Sequence, residues 1–182
     1  LNCGYPNALK GERETPCNIS VAIRGAAMTD IFFLPGAGGS AAFWRPVADR
    51  LDTSLTKRLF AWPGLGTEPP DPAIKGVDDL VALVAGALRG PTDLVAQSMG
   101  GLIALRVALA APERVRRLVL TATSGGLPVR ALGGSDWSVD YFQQFPAAAT
   151  WLTNVTEDLS AQLPSLAAPT LLLWGDADPI SP

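Results

Sequence analysis

The stretch TDLVAQSMGGLIAL, residues 92–105, decides the fold prediction. An apolar run with strand character ends at Gln97, and an apolar run with helical character follows one residue later. Ser98 therefore lies at an abrupt strand-to-helix junction. A side chain at such a corner avoids crowding only if the residues two before and two after it are small, and Ala96 and Gly100 meet this condition. The pattern predicts a sharp turn that presents the serine hydroxyl, and a serine in an ordinary strand-to-helix turn is the alternative.

Strand-like and helix-like segments alternate along the chain on both sides of this junction. Apolar runs bounded by glycine or proline predict strands, and apolar residues with helical spacing predict helices. The predicted strands are residues 30–36, 57–64, 92–97, 115–123 and 170–174, and the predicted helices are residues 41–51, 77–89 and 99–111. Apolar strands joined by helices form a parallel sheet that is covered on each side. We therefore predict an α/β fold with a doubly wound, mostly parallel sheet flanked by helices.

Length and composition indicate one globular domain. The chain has 182 residues, of which 48% are hydrophobic and 17% are charged, so it can bury a substantial core. Residues 28–182 are predicted to form this core, with a small helical lid insertion at about residues 124–165. Residues 1–27 are predicted to be an N-terminal extension that precedes Met28, or an edge strand, because apolar residues alternate with smaller or polar ones over residues 19–23.

Charge, hydropathy and cysteine usage restrict the partners of the chain. The net charge is −3 and no basic run occurs, so we expect no nucleic acid partner. The longest apolar stretches, residues 80–88 and 100–111, are shorter than a bilayer span, and no secretory signal is visible, so we expect a cytoplasmic protein without membrane association. Cys3 and Cys17 lack metal-ligand spacing and no histidine occurs, so we predict no metal site. A small-molecule substrate is the expected partner.

The loop LPGAGGSAAFW, residues 34–44, follows the first predicted strand. Gly36, Gly38 and Ala41 match the spacing of dinucleotide-binding turns, so an oxidoreductase that uses a nicotinamide or a flavin is one interpretation. Such a site requires an acidic residue about 20 positions later, at the end of the next strand. Residues 53–67 contain no Asp or Glu, so this interpretation lacks its second anchor. A flexible glycine turn is a further alternative for the loop.

The serine corner and the glycine loop together resemble the nucleophile elbow and the oxyanion loop of the α/β-hydrolase fold family. In this chain alanine replaces the usual first glycine of the elbow, and Pro35 stands where the family commonly has histidine. The segment WGDADPISP, residues 174–182, is similar to the family's acid-bearing turn, with Asp178 at the matching position and Asp176 nearby. Two aspartates in a solvated turn are the alternative. The three motifs occur in the family's chain order, and the resemblance covers roughly residues 30–182.

The resemblance implies a serine hydrolase that cleaves a carboxylic ester or thioester through an acyl-enzyme on Ser98. The backbone N–H groups of Ala37 and Met99 would form the oxyanion hole, and Asp178 would orient a histidine. This chemistry needs no metal or organic cofactor. A small apolar substrate would contact three aromatic side chains of the lid segment: Trp137, Tyr141 and Phe142. Ordinary core packing is the alternative for these three.

The sequence contains no histidine, although the family order is nucleophile, acid and then histidine. Without an imidazole nothing accepts the serine proton near neutral pH, so Ser98 would remain a weak nucleophile. We expect that the chain is truncated after Asp178, before a last helix, a last strand and the loop that bears the histidine. Truncation would leave residues 170–174 as an apolar edge strand. The alternative is a catalytically silent α/β-hydrolase-like domain that binds a small ligand or a partner.

Overall fold

The computed structural model describes residues 30–182, which form a five-stranded parallel sheet. Its strands are β1 (Asp30–Leu34), β2 (Thr56–Leu59), β3 (Thr92–Gln97), β4 (Val115–Thr121) and β5 (Thr170–Leu173). Their order is β2-β1-β3-β4-β5, and every neighbouring pair is parallel. The chain thus builds the sheet outward from β1 in both directions, which confirms the predicted α/β fold. The extension or edge strand predicted for residues 1–27 lies outside the described residues.

Helices connect the strands in the order that the sequence predicts. They are α1 (Arg45–Ala48), α2 (Val77–Ala87), α3 (Met99–Ala110) and α4 (Ser138–Gln144), with 3₁₀ turns at Ala41–Trp44, Pro112–Arg114, Thr150–Asn154 and Leu163–Ser165. Asp78 and Asp79 lie in the first turn of α2, where carboxylates interact favourably with the helix dipole. No helix among residues 30–182 combines the length and the apolarity needed to cross a bilayer.

The helix predicted for residues 41–51 is shorter than expected. The segment is a 3₁₀ turn followed by the single turn of α1. Pro46 has no N–H group to donate to the carbonyl of Ala42, so a regular α-helical bond cannot form at this point. After α1, the N–H groups of Arg50 and Leu51 donate to carbonyls only three residues back. The proline therefore separates the 3₁₀ turn from α1, and α1 gives way to tighter bonds after one turn.

Side chains of the strands alternate between two hydrophobic clusters on opposite faces of the sheet. Phe32 and Leu34 of β1 belong to the larger cluster, to which α2 and α3 also contribute. Ile31 and Phe33 of the same strand belong to the smaller cluster, together with Trp44. Helical segments therefore cover both faces of β1, which explains why its sequence is apolar at consecutive positions.

Strand β5 lies at one border of the sheet and pairs with β4. Leu171, Leu172 and Leu173 are 54%, 61% and 46% exposed, although consecutive side chains of a strand point to opposite faces. Both faces of β5 are therefore open to solvent in the described part of the chain. The predicted apolar edge strand is present, and its outer side offers backbone groups that can pair with a further strand.

Candidate active site

Ser98 joins β3 to α3 in a backbone conformation that residues other than glycine rarely adopt. Its φ is 51° and its ψ is −123°. Its N–H group donates to the carbonyl of Thr121 at 3.1 Å, and its carbonyl accepts from the N–H group of Gly101 at 2.9 Å. Strained conformations of this kind persist only where the surroundings hold them, and they are concentrated at functional sites. The junction thus has the sharp geometry that the small residues around it predict.

The residues next to this corner leave no room for larger side chains. A Cβ atom on Gly100 would lie 2.5 Å from the backbone oxygens of both Leu34 and Pro35. A Cβ atom on Gly36 would lie 2.9 Å from the Cβ of Ser98. Because these distances are shorter than real Cβ contacts, glycine is required at both positions. The close approach places the loop after β1 directly against the serine corner.

The hydroxyl of Thr123, two residues beyond the end of β4, holds the backbone of the corner. It donates to the carbonyl of Ser98 at 2.5 Å and accepts from the N–H group of Gly125 at 3.0 Å. Thr123 is buried, and a Cβ atom on Gly101 would lie within 2.6 Å of three atoms of its side chain. No sequence motif marks Thr123, because only the pairing of β4 with β3 brings it to Ser98.

Replacing Thr123 with valine should lower the free energy of unfolding by about 1–3 kcal/mol, because the Ser98 carbonyl and the Gly125 N–H group each lose a buried partner. Urea denaturation measures this change. Thr153→Val is the matched control, because the Thr153 hydroxyl makes its bond to the Thr150 carbonyl on the surface. The control should stay within about 0.5 kcal/mol of the unchanged chain. Equal losses in the two variants would contradict the role assigned to Thr123.

The loop after β1 is held by Trp62, which lies beyond the end of β2. The Trp62 indole N–H donates to the carbonyl of Pro35 at 2.7 Å, and its backbone N–H donates to the carbonyl of Gly39 at 2.8 Å. Within the loop, the N–H group of Gly39 donates to the carbonyl of Gly36 at 3.0 Å. A dinucleotide-binding turn leads directly into a helix whose N-terminus faces the pyrophosphate. Here a 3₁₀ turn and a four-residue helix follow, so this loop has a different architecture.

A cavity of about 660 Å³ opens at the carboxyl ends of the strands. Ser98, Ala37 and Met99 line it, together with Trp137 and Tyr141 from residues 124–165, the segment predicted to be a lid. Further apolar wall residues are Leu102, Leu127, Val129, Leu152, Val155 and Ile180. A mostly apolar cavity that also has polar and charged side chains in its wall is typical of a binding site for a small molecule. The structure therefore brings together five of the residues that the sequence predicts for the site.

Phe142 does not belong to the wall of this cavity. Its ring packs edge-to-face against Tyr141, with the ring centroids 5.1 Å apart, and it contacts the larger hydrophobic cluster. Core packing therefore describes Phe142 as the structure places it. Tyr141 combines both environments, because its ring lines the cavity while its hydroxyl binds backbone groups of Ala37 and Gly66.

Asp178 lies in the turn that follows β5. Its carboxylate oxygen Oδ1 accepts from the N–H groups of Ile180 at 2.9 Å and Ser181 at 3.0 Å. Ile180 and Ser181 line the cavity, whereas Asp178 is not part of its wall. Two backbone donors thus fix one carboxylate oxygen beside the cavity. Asp176 is exposed in the same turn.

The sheet order, the strained serine at the end of β3 and the loop packed against it are accompanied by a sequence match. The model of the alpha/beta hydrolase family matches residues 31–182. The chain belongs to the alpha/beta hydrolase family. This match covers all but one of the residues that the structure describes. The resemblance on which the fold prediction partly rests is therefore confirmed.

Two relatives in this family are named pimeloyl-(acyl-carrier protein) methyl ester esterase. The relative from Nitrosomonas europaea is 32% identical over 108 residues, which are 59% of this chain and 41% of the relative. The relative from Pectobacterium carotovorum is 32% identical over 100 residues, which are 55% of this chain and 39% of the relative. The chain thus spans about two fifths of the length of these relatives.

The fold is similar to that of the monoacylglycerol lipase from Paleococcus ferrophilus. The two structures superpose with a TM-score of 0.63 at 19% identity, over 84% of this chain and 75% of the lipase. Because one fold supports many activities, a likeness at this identity shows the alpha/beta hydrolase fold alone.

Proposed function

We propose that this chain is a hydrolase that cleaves a carboxylic ester or thioester of a small apolar substrate through an acyl-enzyme on Ser98. The main support is the strained turn that carries Ser98 in the wall of a 660 Å³ cavity shared with Ala37 and Met99. Membership of the alpha/beta hydrolase family and the names of the two esterase relatives support an ester substrate. The mostly apolar lining supports an apolar acyl group, while Arg130, Asp140 and Glu157 place charged side chains in the same wall.

In the proposed reaction the Ser98 Oγ attacks the carbonyl carbon of the substrate and forms a tetrahedral intermediate. The backbone N–H groups of Ala37 and Met99 donate to its negative oxygen. The Met99 N–H group belongs to the first turn of α3, where the helix dipole also favours negative charge. Collapse of the intermediate releases the alcohol or thiol and leaves the acyl group on Ser98. Water then attacks this ester, releases the carboxylic acid and restores the serine hydroxyl.

The proposed reaction needs a general base for the Ser98 proton, and none of the 182 residues is a histidine. We propose that the Asp178 carboxylate, which Ile180 and Ser181 hold beside the cavity, orients an imidazole. Imidazole from solution is much smaller than a cavity of about 660 Å³. Imidazole can therefore enter the cavity in an assay of the 182-residue chain and serve as the base for Ser98.

Hydrolysis of p-nitrophenyl butyrate by the chain should increase with imidazole concentration and then saturate, because imidazole must occupy the cavity to act. We expect imidazole to raise the protein-dependent rate by about 10²-fold, the lower end of the usual contribution of a general base. The rate with imidazole and no protein is subtracted at each concentration. A rate that is the same with and without protein would refute the proposed hydrolase. That result would favour a catalytically silent domain that binds a small ligand in this cavity.

A further inference from the structure

The Tyr141 hydroxyl joins three distant segments of the chain behind the loop that contains Ala37. Tyr141 lies on α4, where its hydroxyl accepts from the N–H group of Gly66 at 2.9 Å and donates to the carbonyl of Ala37 at 2.8 Å. The residue is only 9% exposed, so water competes little for these two bonds. The sequence predicts that Tyr141 contacts the substrate, whereas in the structure its hydroxyl oxygen bonds to the backbone of Gly66 and Ala37.

Two neighbouring peptide groups around Ala37 are held by different partners. The Gly36 carbonyl accepts from the N–H group of Gly39. Because the C=O and N–H groups of a trans peptide point in opposite directions, the Ala37 N–H group points away from this turn. The Ala37 carbonyl, in the next peptide group, accepts from Tyr141. The first bond therefore sets the direction of the Ala37 N–H group, and the second sets the direction of the carbonyl in the next peptide group.

Further contacts with this loop come from the segment that follows β2. Trp62 binds the carbonyls of Pro35 and Gly39, and a Cβ atom on Gly66 would lie 2.0 Å from the carbonyl oxygen of Gly38. These contacts hold the two ends and the back of the loop independently of the lid segment. The bond to the Ala37 carbonyl differs because it comes from α4, and therefore depends on how α4 packs.

The hydroxyl remains a donor over the whole neutral pH range. Burial raises the pKa of Tyr141 above its usual range, and the bond from the Gly66 N–H group opposes this effect to a smaller extent. The phenol is therefore uncharged at neutral pH, and its O–H group donates a hydrogen bond to the Ala37 carbonyl. Without that donor the negative end of the carbonyl is free to rotate toward the cavity, where it would repel a developing oxyanion.

We propose that Tyr141 is a positioning residue of the oxyanion loop: its hydroxyl holds the Ala37 carbonyl, so that the peptide group next to the Ala37 N–H group cannot turn this oxygen into the Ser98 cavity, and this requires α4 to be packed on the loop. The inference rests on the proposed function and extends it. The packing of α4 on the loop and the stabilisation of the oxyanion are then coupled through the hydrogen bond from Tyr141 to the Ala37 carbonyl.

Tyr141→Phe tests this coupling, because it removes the hydroxyl and keeps the ring that packs against Trp137 and Phe142. In the imidazole-dependent assay we expect kcat to fall about 10- to 100-fold, less than or equal to the loss on removing an oxyanion donor outright. KM should change less than about two-fold, because the cavity wall is preserved. Trp137→Leu should have the opposite effect on the two constants: it removes part of the cavity wall, so KM should rise while kcat is retained. Thr153→Val removes a hydroxyl that binds the Thr150 carbonyl on the surface and should leave both constants unchanged.

Amide hydrogen exchange provides a second measurement that does not depend on Ser98 chemistry. In Tyr141→Phe the N–H group of Gly66 loses its acceptor, so its exchange should accelerate, together with the amides of residues 37–39. Exchange in α3 should stay unchanged, which separates a local effect from global unfolding. Phe145→Leu loosens the packing of the Phe145 ring against the Tyr141 ring, whose centroid lies 5.1 Å away, and should shift both measurements in the same direction by a smaller amount.

The outcomes separate the two proposals. A lowered kcat with faster exchange at Gly66 and at residues 37–39 supports the inference. An unchanged kcat in Tyr141→Phe, beside an inactive Ser98→Ala variant, overturns the inference and leaves the proposed hydrolase intact. A lowered kcat without faster exchange also overturns it, because the loop is then not the cause. Absence of any Ser98-dependent turnover in the unchanged chain overturns both proposals.

Discussion

Replacing Ser98 with alanine should abolish covalent labelling of the chain by a fluorophosphonate in the presence of imidazole. The probe forms a bond between phosphorus and the serine oxygen with loss of fluoride, so a methyl side chain has no atom that can react. Loss of the nucleophile in a comparable enzyme lowers kcat by about 10⁶-fold. Imidazole-dependent ester hydrolysis should accordingly fall to the rate of imidazole alone.

Mass spectrometry of the labelled chain should place the adduct on Ser98. The cavity wall contains two other serines, Ser124 and Ser181, and an adduct on either would contradict the proposed nucleophile. Ser165→Ala is the matched control, because the Ser165 hydroxyl binds the carbonyl of Gln162 on the surface. This control should be labelled at the rate of the unchanged chain.

The second large effect is expected from Gly100→Ala, in the first turn of α3. The new Cβ atom would lie 2.5 Å from the carbonyl oxygens of Leu34 and Pro35. Backbone oxygens cannot rotate away as a flexible side chain can, so α3 must move away from β1. We expect the free energy of unfolding to fall by about 3 kcal/mol, the upper end of the usual cost of overpacking. Because the same movement displaces Ser98, labelling should also be slower.

Gly86→Ala makes the same chemical change in α2, where no atom lies within 4 Å of the new Cβ. There the alanine should raise the free energy of unfolding by about 0.5–1 kcal/mol, because alanine favours the helix more than glycine does. Urea denaturation of both variants measures the two changes under one protocol. A Gly100→Ala variant within about 0.5 kcal/mol of the unchanged chain would show that the packing of α3 against β1 is less close than described.

The elements that depend on local pattern were predictable from the sequence. Strand β3, the corner at Ser98 and helix α3 follow from two apolar runs that meet at small residues. Strand β1 was predictable because both of its faces are buried, which requires consecutive apolar residues. The helix predicted for residues 41–51 was wrong in length, because a hydrophobic pattern does not register the N–H group that Pro46 lacks.

The candidate site was predictable in part. Ser98, Ala37 and Met99 share one cavity, as their motifs suggested. Their roles in catalysis remain predictions. The bonds from Thr123 to Ser98 and from Tyr141 to Ala37 join residues 25 and 104 positions apart. No short motif contains such pairs, because they arise only when the strands pair and α4 packs on the loop. The sequence therefore predicted which residues line the cavity, but it did not predict the hydrogen bonds that the Thr123 and Tyr141 hydroxyls make to the backbone of Ser98 and Ala37.

The position of Ser98 in the sheet places its backbone away from the border strand β5. Strand β3, which carries Ser98 at its end, is the middle strand, and β5 is two places away at the border. Strands added beside β5, from whatever source, lengthen the sheet without touching the backbone that strains Ser98. The turn after β5 nevertheless brings Ile180 and Ser181 to the Ser98 cavity, so a substitution at the leucine-rich border can still alter the shape of that cavity.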